Sequence, residues 1–170
     1  MTQSAYRDHL GRPIVAVTGM GVVTSLGQGL SDNWAALTSG KSGIHTITRF
    51  PTEKLSTRIS GTVDFIDVPV PNSVERSYAF ARETTLEALA QAGLSGDFGG
   101  PLFLAAPPIE PEWSARFELS DRVPEDQRHG NAYQQFLSVL HSKPDPQFYE
   151  AIQFGSISER LADRFGTRGL

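Results

Sequence analysis

Four consecutive apolar residues, Ile14-Val15-Ala16-Val17, run into two closely spaced glycines in Thr18-Gly19-Met20-Gly21, and this stretch constrains the fold more than any other. A half-exposed strand alternates apolar and polar residues, so an unbroken run rich in β-branched side chains predicts a strand buried on both faces. The glycines permit positive φ and a close approach of backbone to a neighbour. Val22-Val23 follows, and Thr24-Ser25-Leu26-Gly27 turns towards a helix. A strand closed by a glycine turn is an α/β signature. The second all-apolar run, Pro101–Ala106 (PLFLAA), is the other candidate for a buried parallel strand.

Around these runs the remaining elements fall into order. Met1–Arg12 reads as a flexible lead-in. Ser31 can cap a short helix to about Ser39, with Leu30 and Ala35 placed as a hydrophobic staple and Gly40 as its stop. Gly43–Phe50 reads as loop, Arg58–Phe65 (RISGTVDF) as a strand, and the proline-bearing stretch Asp67–Asn72 as a connector. Ser73 starts the longest helix, to about Ala92, with Gly93 as its stop. Its five alanines (79, 81, 88, 90 and 92) suit close packing on a sheet.

Residues 107–130 shift to proline, acid and arginine without periodicity, which predicts a surface excursion within the domain. Asn131 can cap a helix to about His141, before the breaker Lys143-Pro144-Asp145-Pro146. Ser156 and Glu159 have capping-box spacing. Behind them Ile157, Leu161 and Phe165 share one helical face, and Gly166 ends it.

Composition sets the bounds. The 170 residues suit one domain, or part of a larger one, and 39% hydrophobic residues can build a core. No apolar run approaches the ~20 residues that span a bilayer, and the polar first thirteen residues lack a signal-peptide core. A soluble cytoplasmic protein is therefore expected, with no membrane partner. A net charge of −4 without a long basic run argues against nucleic acid. Cysteine is absent, which excludes disulfides, thiolate metal sites and a cysteine nucleophile within this chain.

The short motifs fail on spacing. Gly19-Met20-Gly21 invites a dinucleotide reading, but Thr24 stands where the third glycine belongs and no acid follows at the ribose distance. Gly40-Lys41-Ser42 resembles the end of a phosphate loop, but Ala35 occupies the first glycine position, so a helix C-cap is the better reading. His9, His45, His129 and His141 are scattered without metal-ligand spacing and read as surface histidines. Glu110 and Glu112 read as solvated loop acids, and Trp34 as a core anchor. The residues alone thus give an α/β domain without a visible active site.

A longer pattern is more informative. IVAVTGMGVVTSLG, NWAALTSGKSGIHTITRF and ISGTVDF occur in that order, and Phe165-Gly166-Thr167-Arg168-Gly169 closes the chain with an aromatic-glycine-x-arginine-glycine run. The whole resembles the amino terminus of a β-ketoacyl-acyl-carrier-protein synthase of the condensing-enzyme, thiolase-like family. The resemblance implies an α/β protein with the five-layer α/β/α/β/α fold, of which residues 1–170 are the N-terminal half. It implies a decarboxylative condensation of an acyl thioester with malonyl carrier protein in fatty acid or polyketide elongation. It also implies an acyl carrier protein as partner, a homodimer, and neither a cofactor nor a metal.

The family's nucleophile is a cysteine at the start of a buried helix, whose N-terminal dipole favours the thiolate, roughly ten residues past the arginine-glycine run. Two histidines and a lysine promote the decarboxylation. This sequence stops at Leu170, so the resemblance places all four beyond it and none of the catalytic set in this chain. The 170 residues alone are expected to be inactive.

Two departures bear on the family's other sites. Where relatives carry a glycine-rich turn that gates the acyl pocket, this chain has Pro107, Pro108 and Ile109, and two prolines fix φ and remove amide donors. Phe148 falls where relatives place an aromatic of the partner's pocket. At the start of the Ser73 helix only Arg76 and Arg82 remain as carrier-protein docking candidates, beside Glu75 and Glu83. The alternative reading is a non-catalytic partner subunit of the same fold, comparable to a chain-length factor.

Overall fold

The computed structural model describes residues 6–53, 55–69, 72–95, 97–107, 112, 118, 121–125, 131–142 and 144–168, the side chains at 132, 136 and 148 excepted. The elements are β1 (Val23–Thr24), β2 (Gly27–Gln28), α1 (Gly29–Thr38), β3 (His45–Thr46), β4 (Ile59–Ser60) and α2 (Ser73–Gln91). They are followed by α3 (Ala132–Ser142), α4 (Pro146–Ala151) and α5 (Ser156–Phe165).

Helix α2 runs as its sequence predicts. The Asn72 side chain accepts the Glu75 N–H at 2.8 Å, which satisfies one orphan donor of the first turn. At the other end Gly93 takes φ 70°, its N–H reaching the Ala90 carbonyl and that of Leu94 the Leu89 carbonyl. This double closure is a Schellman cap, and glycine adopts its left-handed residue without strain. Helix α1 closes the same way on Gly40, at φ 69°.

The core lies between α2 and α5. Ile157, Leu161 and Phe165, spaced four apart, form one buried face and pack against Tyr78, Ala81 and Leu89 of α2 and against Leu102 and Leu104. Each such side chain contributes about 2 kcal/mol by leaving water. Arg160 fastens the same pair of helices from the rim. Its guanidinium makes a bidentate pair with Glu75 at 2.8 and 3.0 Å and lies 3.9 Å over the Tyr78 ring.

Several local expectations need correction. Ile14–Val17 is not a doubly buried strand: Val15 is 91% and Val17 79% exposed, and the run has no ladder partner among the described residues. Leu102–Ala106 is half-buried. Leu102, Leu104 and Ala106 turn inward, whereas Phe103 is 77% exposed. An apolar run states a preference for burial, but both faces are covered only when strands or helices lie on each side. Here only the α2–α5 side is covered among the described residues.

The paired strands are short antiparallel hairpins, Val23↔Gln28 with Thr24↔Gly27 and His45↔Ser60 with Thr46↔Ile59. The expected strand Arg58–Phe65 shrinks to Ile59–Ser60, and its partner forms within the stretch read as loop.

Helix starts also move. Helix α1 begins at Gly29 and not Ser31, because the Val22 carbonyl takes the Gly29 N–H and Glu87 takes the Leu30 N–H, so no serine cap is required. It turns Asn33 and Ala36 inward and leaves Trp34 70% exposed, so Trp34 is not a core anchor. Asn33 is buried because its amide donates to the Gly27 and Gly29 carbonyls while Thr24 donates to it. Ser156 forms no capping box: its hydroxyl donates backwards to the Ala151 carbonyl at 2.7 Å, and Gly155 is the N-cap.

Asn131 does cap α3, accepting the Tyr133 N–H at 2.9 Å. The breaker carries a helix of its own, since Pro146 suits the first position of α4. Within the lead-in, residues 6–14 form a turn and not a frayed tail. Asp8 accepts the N–H groups of Leu10 and Arg12 and pairs with the Arg12 guanidinium at 2.6 Å. Most of the 107–130 excursion lies outside the described residues.

Candidate functional site

The glycine turn after Ile14–Val17 sits directly on the backbone of α2. A Cβ at Gly19 would stand 1.9 Å from the Ala88 carbonyl oxygen, and one at Gly21 2.0 Å from that of Thr84. The two glycines are therefore required by contact, each against a carbonyl one helical turn from the other. Small residues on this face of α2 make the approach possible.

A polar stripe on α2 holds the same segment by its main chain. Gln91 accepts the Met20 N–H at 2.6 Å, and Glu87 accepts the N–H groups of Val22 at 2.9 Å and Leu30 at 2.7 Å. Glu83 accepts the Gln28 amide at 3.1 Å. Residues 83, 87 and 91 are spaced by four and so share one helical face. Sequence reading passed over Glu87 and Gln91; the signal was an acid-acid-amide stripe on an otherwise alanine-rich helix.

Beside this turn lies an open cleft of about 360 Å³, bounded by Thr18–Gly21, α2, and residues 98–102 together with the end of α5. Its lining mixes threonine hydroxyls with leucine and phenylalanine side chains. Among the described residues no titratable side chain lines it. A second hollow, about 490 Å³, lies among Arg122, Pro144, Asp145, Pro146 and Gln147.

Those candidate site residues that are described lie on separate elements, α2 holding both arginines. Pro107 is exposed at the end of the 102–106 run, and Pro108 and Ile109 lie outside the described residues. Phe148 falls within α4, its side chain outside the described set. On α2, both Arg82 nitrogens nearest Glu83 bond its Oε1, at 3.0 and 2.6 Å, which offsets part of its charge. Arg76 is partly buried, and its Nε has no hydrogen-bond partner. A better-built ion pair is that of Arg160, on α5, with Glu75. Glu75 is held below the usual carboxylate range first by the Arg160 hydrogen bonds and then by its charge.

Among the described residues no group of three or more histidine, aspartate or glutamate side chains is placed to hold a metal. No described helix is long and apolar enough to cross a membrane.

Comparison with known proteins gives this geometry a context. The family model "Beta-ketoacyl synthase, N-terminal domain" matches residues 13–97, half of the chain. A protein of Streptomyces cyaneus described as a polyketide β-ketoacyl synthase is 29% identical over 167 residues, 91% of this chain and 37% of its own length. The 3-oxoacyl-[acyl-carrier-protein] synthase 2 of Coxiella burnetii is 38% identical over 86 residues, 47% of this chain and 21% of its own. Among solved structures, the ishigamide ketosynthase/chain length factor superposes with a TM-score of 0.60 at 22% identity, covering 91% of this chain and 38% of that one. The chain thus spans between about a fifth and two fifths of the length of these relatives.

Proposed function

The chain belongs to the β-ketoacyl synthase family, and from that premise we propose that it is the amino-terminal half of a five-layer, thiolase-like condensing enzyme. The reaction is the decarboxylative condensation of an acyl thioester with malonyl carrier protein. The acyl group passes from a cysteine sulfur to the carbanion left when the malonyl group loses carbon dioxide, which frees the thiol and leaves a β-ketoacyl thioester on the carrier. The chain has no cysteine and so does not itself hold the acyl group. Its residues would seat the glycine turn on α2, through Gly19, Gly21, Glu87 and Gln91, and lock α2 to α5.

In this reading acyl carrier protein docks near Arg76 and Arg82, and Pro107, Pro108, Ile109 and Phe148 border the acyl pocket. The complete protein works as a cytoplasmic homodimer in fatty acid or polyketide elongation. The observation that carries the reading is the match over residues 13–97, which covers the glycine turn and the helix it rests on. A second reading, a non-catalytic partner resembling a chain-length factor, is favoured by two likenesses. One is to the ishigamide ketosynthase/chain length factor. The other is to the tetracenomycin polyketide synthase ketoacyl synthase beta subunit of Streptomyces glaucescens, 37% identical over 86 residues.

Acylation separates these readings. The 170-residue chain incubated with radiolabelled acyl carrier protein should retain no label after denaturation. The product of the uninterrupted coding frame should retain it on a cysteine. Label on the 170-residue chain would overturn the assignment of the nucleophile. A full-frame product with no such cysteine and no label would favour the partner subunit.

A further inference from the structure

We infer that Ser25 is a steric peg that fixes the β3–β4 hairpin against the turn between β1 and β2. Ser25 and Leu26 form that turn, between Thr24 and Gly27. Two glycines at the base of the hairpin close on the serine. A Cβ at Gly43 would stand 2.3 Å from Ser25 Oγ and 3.0 Å from both its Cβ and its carbonyl carbon. One at Gly61 would stand 2.9 Å from Oγ.

Glycine serves a chain in two ways, by a positive φ and by a close approach. Neither Gly43 nor Gly61 takes a positive φ, unlike Gly40 at 69°. What requires glycine at both positions is therefore the room that Ser25 fills.

Neither side of this contact gives way easily. The turn is held from below: the Leu26 N–H donates to Thr24 Oγ1 at 3.0 Å, and the Thr24 hydroxyl donates in turn to the buried Asn33. The hairpin is tied across its own base. His45 Nε2 lies 2.5 Å from Thr62 Oγ1 and 3.3 Å from Asp64 Oδ2, and the Ile44 Cδ1 reaches 3.4 Å from the Cβ position of Gly61. The ladder His45↔Ser60 and Thr46↔Ile59 continues from there. Parting the two strands to make room for a larger group would break these ties.

The peg stands on the segment that Glu87 and Gln91 attach to α2 through the N–H groups of Met20, Val22 and Leu30. Helix α2 thus fixes the glycine turn on one side, and Ser25 fixes the hairpin on the other. The hairpin takes its place relative to the cleft from a contact of shape, with no charge involved.

Hydrogen exchange followed by mass spectrometry on the 170-residue chain tests this, with peptides covering 43–47 and 59–64 read against α2 peptides. Gly43→Ala should cost the hairpin peptides about tenfold in protection and leave those of α2 unchanged. Turning the serine hydroxyl away does not relieve it, because the Cβ and carbonyl carbon of Ser25 stay in the way. Adding Ser25→Ala, which removes Oγ alone, should return about threefold. Gly61→Ala meets only Oγ within 3 Å, so its smaller loss should vanish in the Ser25→Ala background. The inference is overturned if Gly43→Ala leaves the hairpin as protected, relative to α2, as the parent, or if Ser25→Ala gives it no relief. Should Gly43→Ala fail to fold, Gly61→Ala decides, and a loss that is absent or unrelieved by Ser25→Ala overturns the inference.

Discussion

Replacing Gly21 by alanine tests the seating of the glycine turn on α2 most directly. The added Cβ would lie 2.0 Å from the Thr84 carbonyl oxygen and 2.8 Å from its carbon, both backbone atoms of a helix interior. Helix backbone does not yield, so the 18–22 segment must retreat until the contact opens to about 3.4 Å, where ordinary packing begins. A retreat of that size carries the Val22 N–H, now 2.9 Å from Glu87, out of hydrogen-bond range. Losing a bond to a charged acceptor costs about 1.5–3 kcal/mol, and the residual overpacking about 1–3 kcal/mol more. We expect a destabilisation of about 3 kcal/mol for Gly21→Ala, read from urea denaturation at fixed protein concentration. Gly99→Ala is the control, because nothing lies within 4 Å of its added Cβ, and it should stay within about 0.5 kcal/mol of the parent. A Gly21→Ala variant as stable as the control would show that the close approach carries no energy.

Two further outcomes follow from the packing. In a double-mutant cycle, Glu75→Gln and Arg160→Met should couple by about 1 kcal/mol, a figure held down because both side chains are partly exposed. The folded state keeps Glu75 below its ordinary value, so that coupling is present above the ordinary carboxylate range and lost as pH falls through the lowered one; a coupling unchanged down to pH 2 would contradict it. The 170-residue chain should self-associate on size exclusion. It leaves the apolar side chains of Val15 91%, Val17 79% and Phe103 77% exposed. At about 25 cal/mol per Å², each 400 Å² of apolar surface left open forgoes roughly 10 kcal/mol, so a monodisperse monomer with a cooperative transition would refute the expectation.

Local signals were legible in the sequence and relational ones were not. Helix α2, its start at Ser73 and its glycine stop depend on neighbours within one turn. So does the Ile157-Leu161-Phe165 face, because a helical period needs no knowledge of the partner. The runs at 14–17 and 102–106 were overread, since burial of a strand depends on what lies beside it and residue type records only the preference. Ser156 misled because its hydroxyl had two competing uses, and the preceding turn took it. His45 read as a surface histidine, and it is exposed. Its ties to Thr62 and Asp64, across 17 and 19 residues, leave no trace in a linear pattern. Of the candidate site, the glycine turn is visible in the sequence, while Glu87 and Gln91 show only as polar residues four apart on α2, because their partners are main-chain amides far along the chain.

That choice of partners has a consequence for how the segment can change over generations. Glu87 and Gln91 grip N–H groups that every residue except proline carries, so they are indifferent to the side chains riding at positions 20, 22 and 30. Those side chains can be exchanged, Met20 in the lining of the cleft among them, without altering the attachment to α2. Proline is the one residue refused at all three positions. The latitude is asymmetric: the donor positions need only an N–H, whereas on α2 one carboxylate, that of Glu87, serves two segments at once.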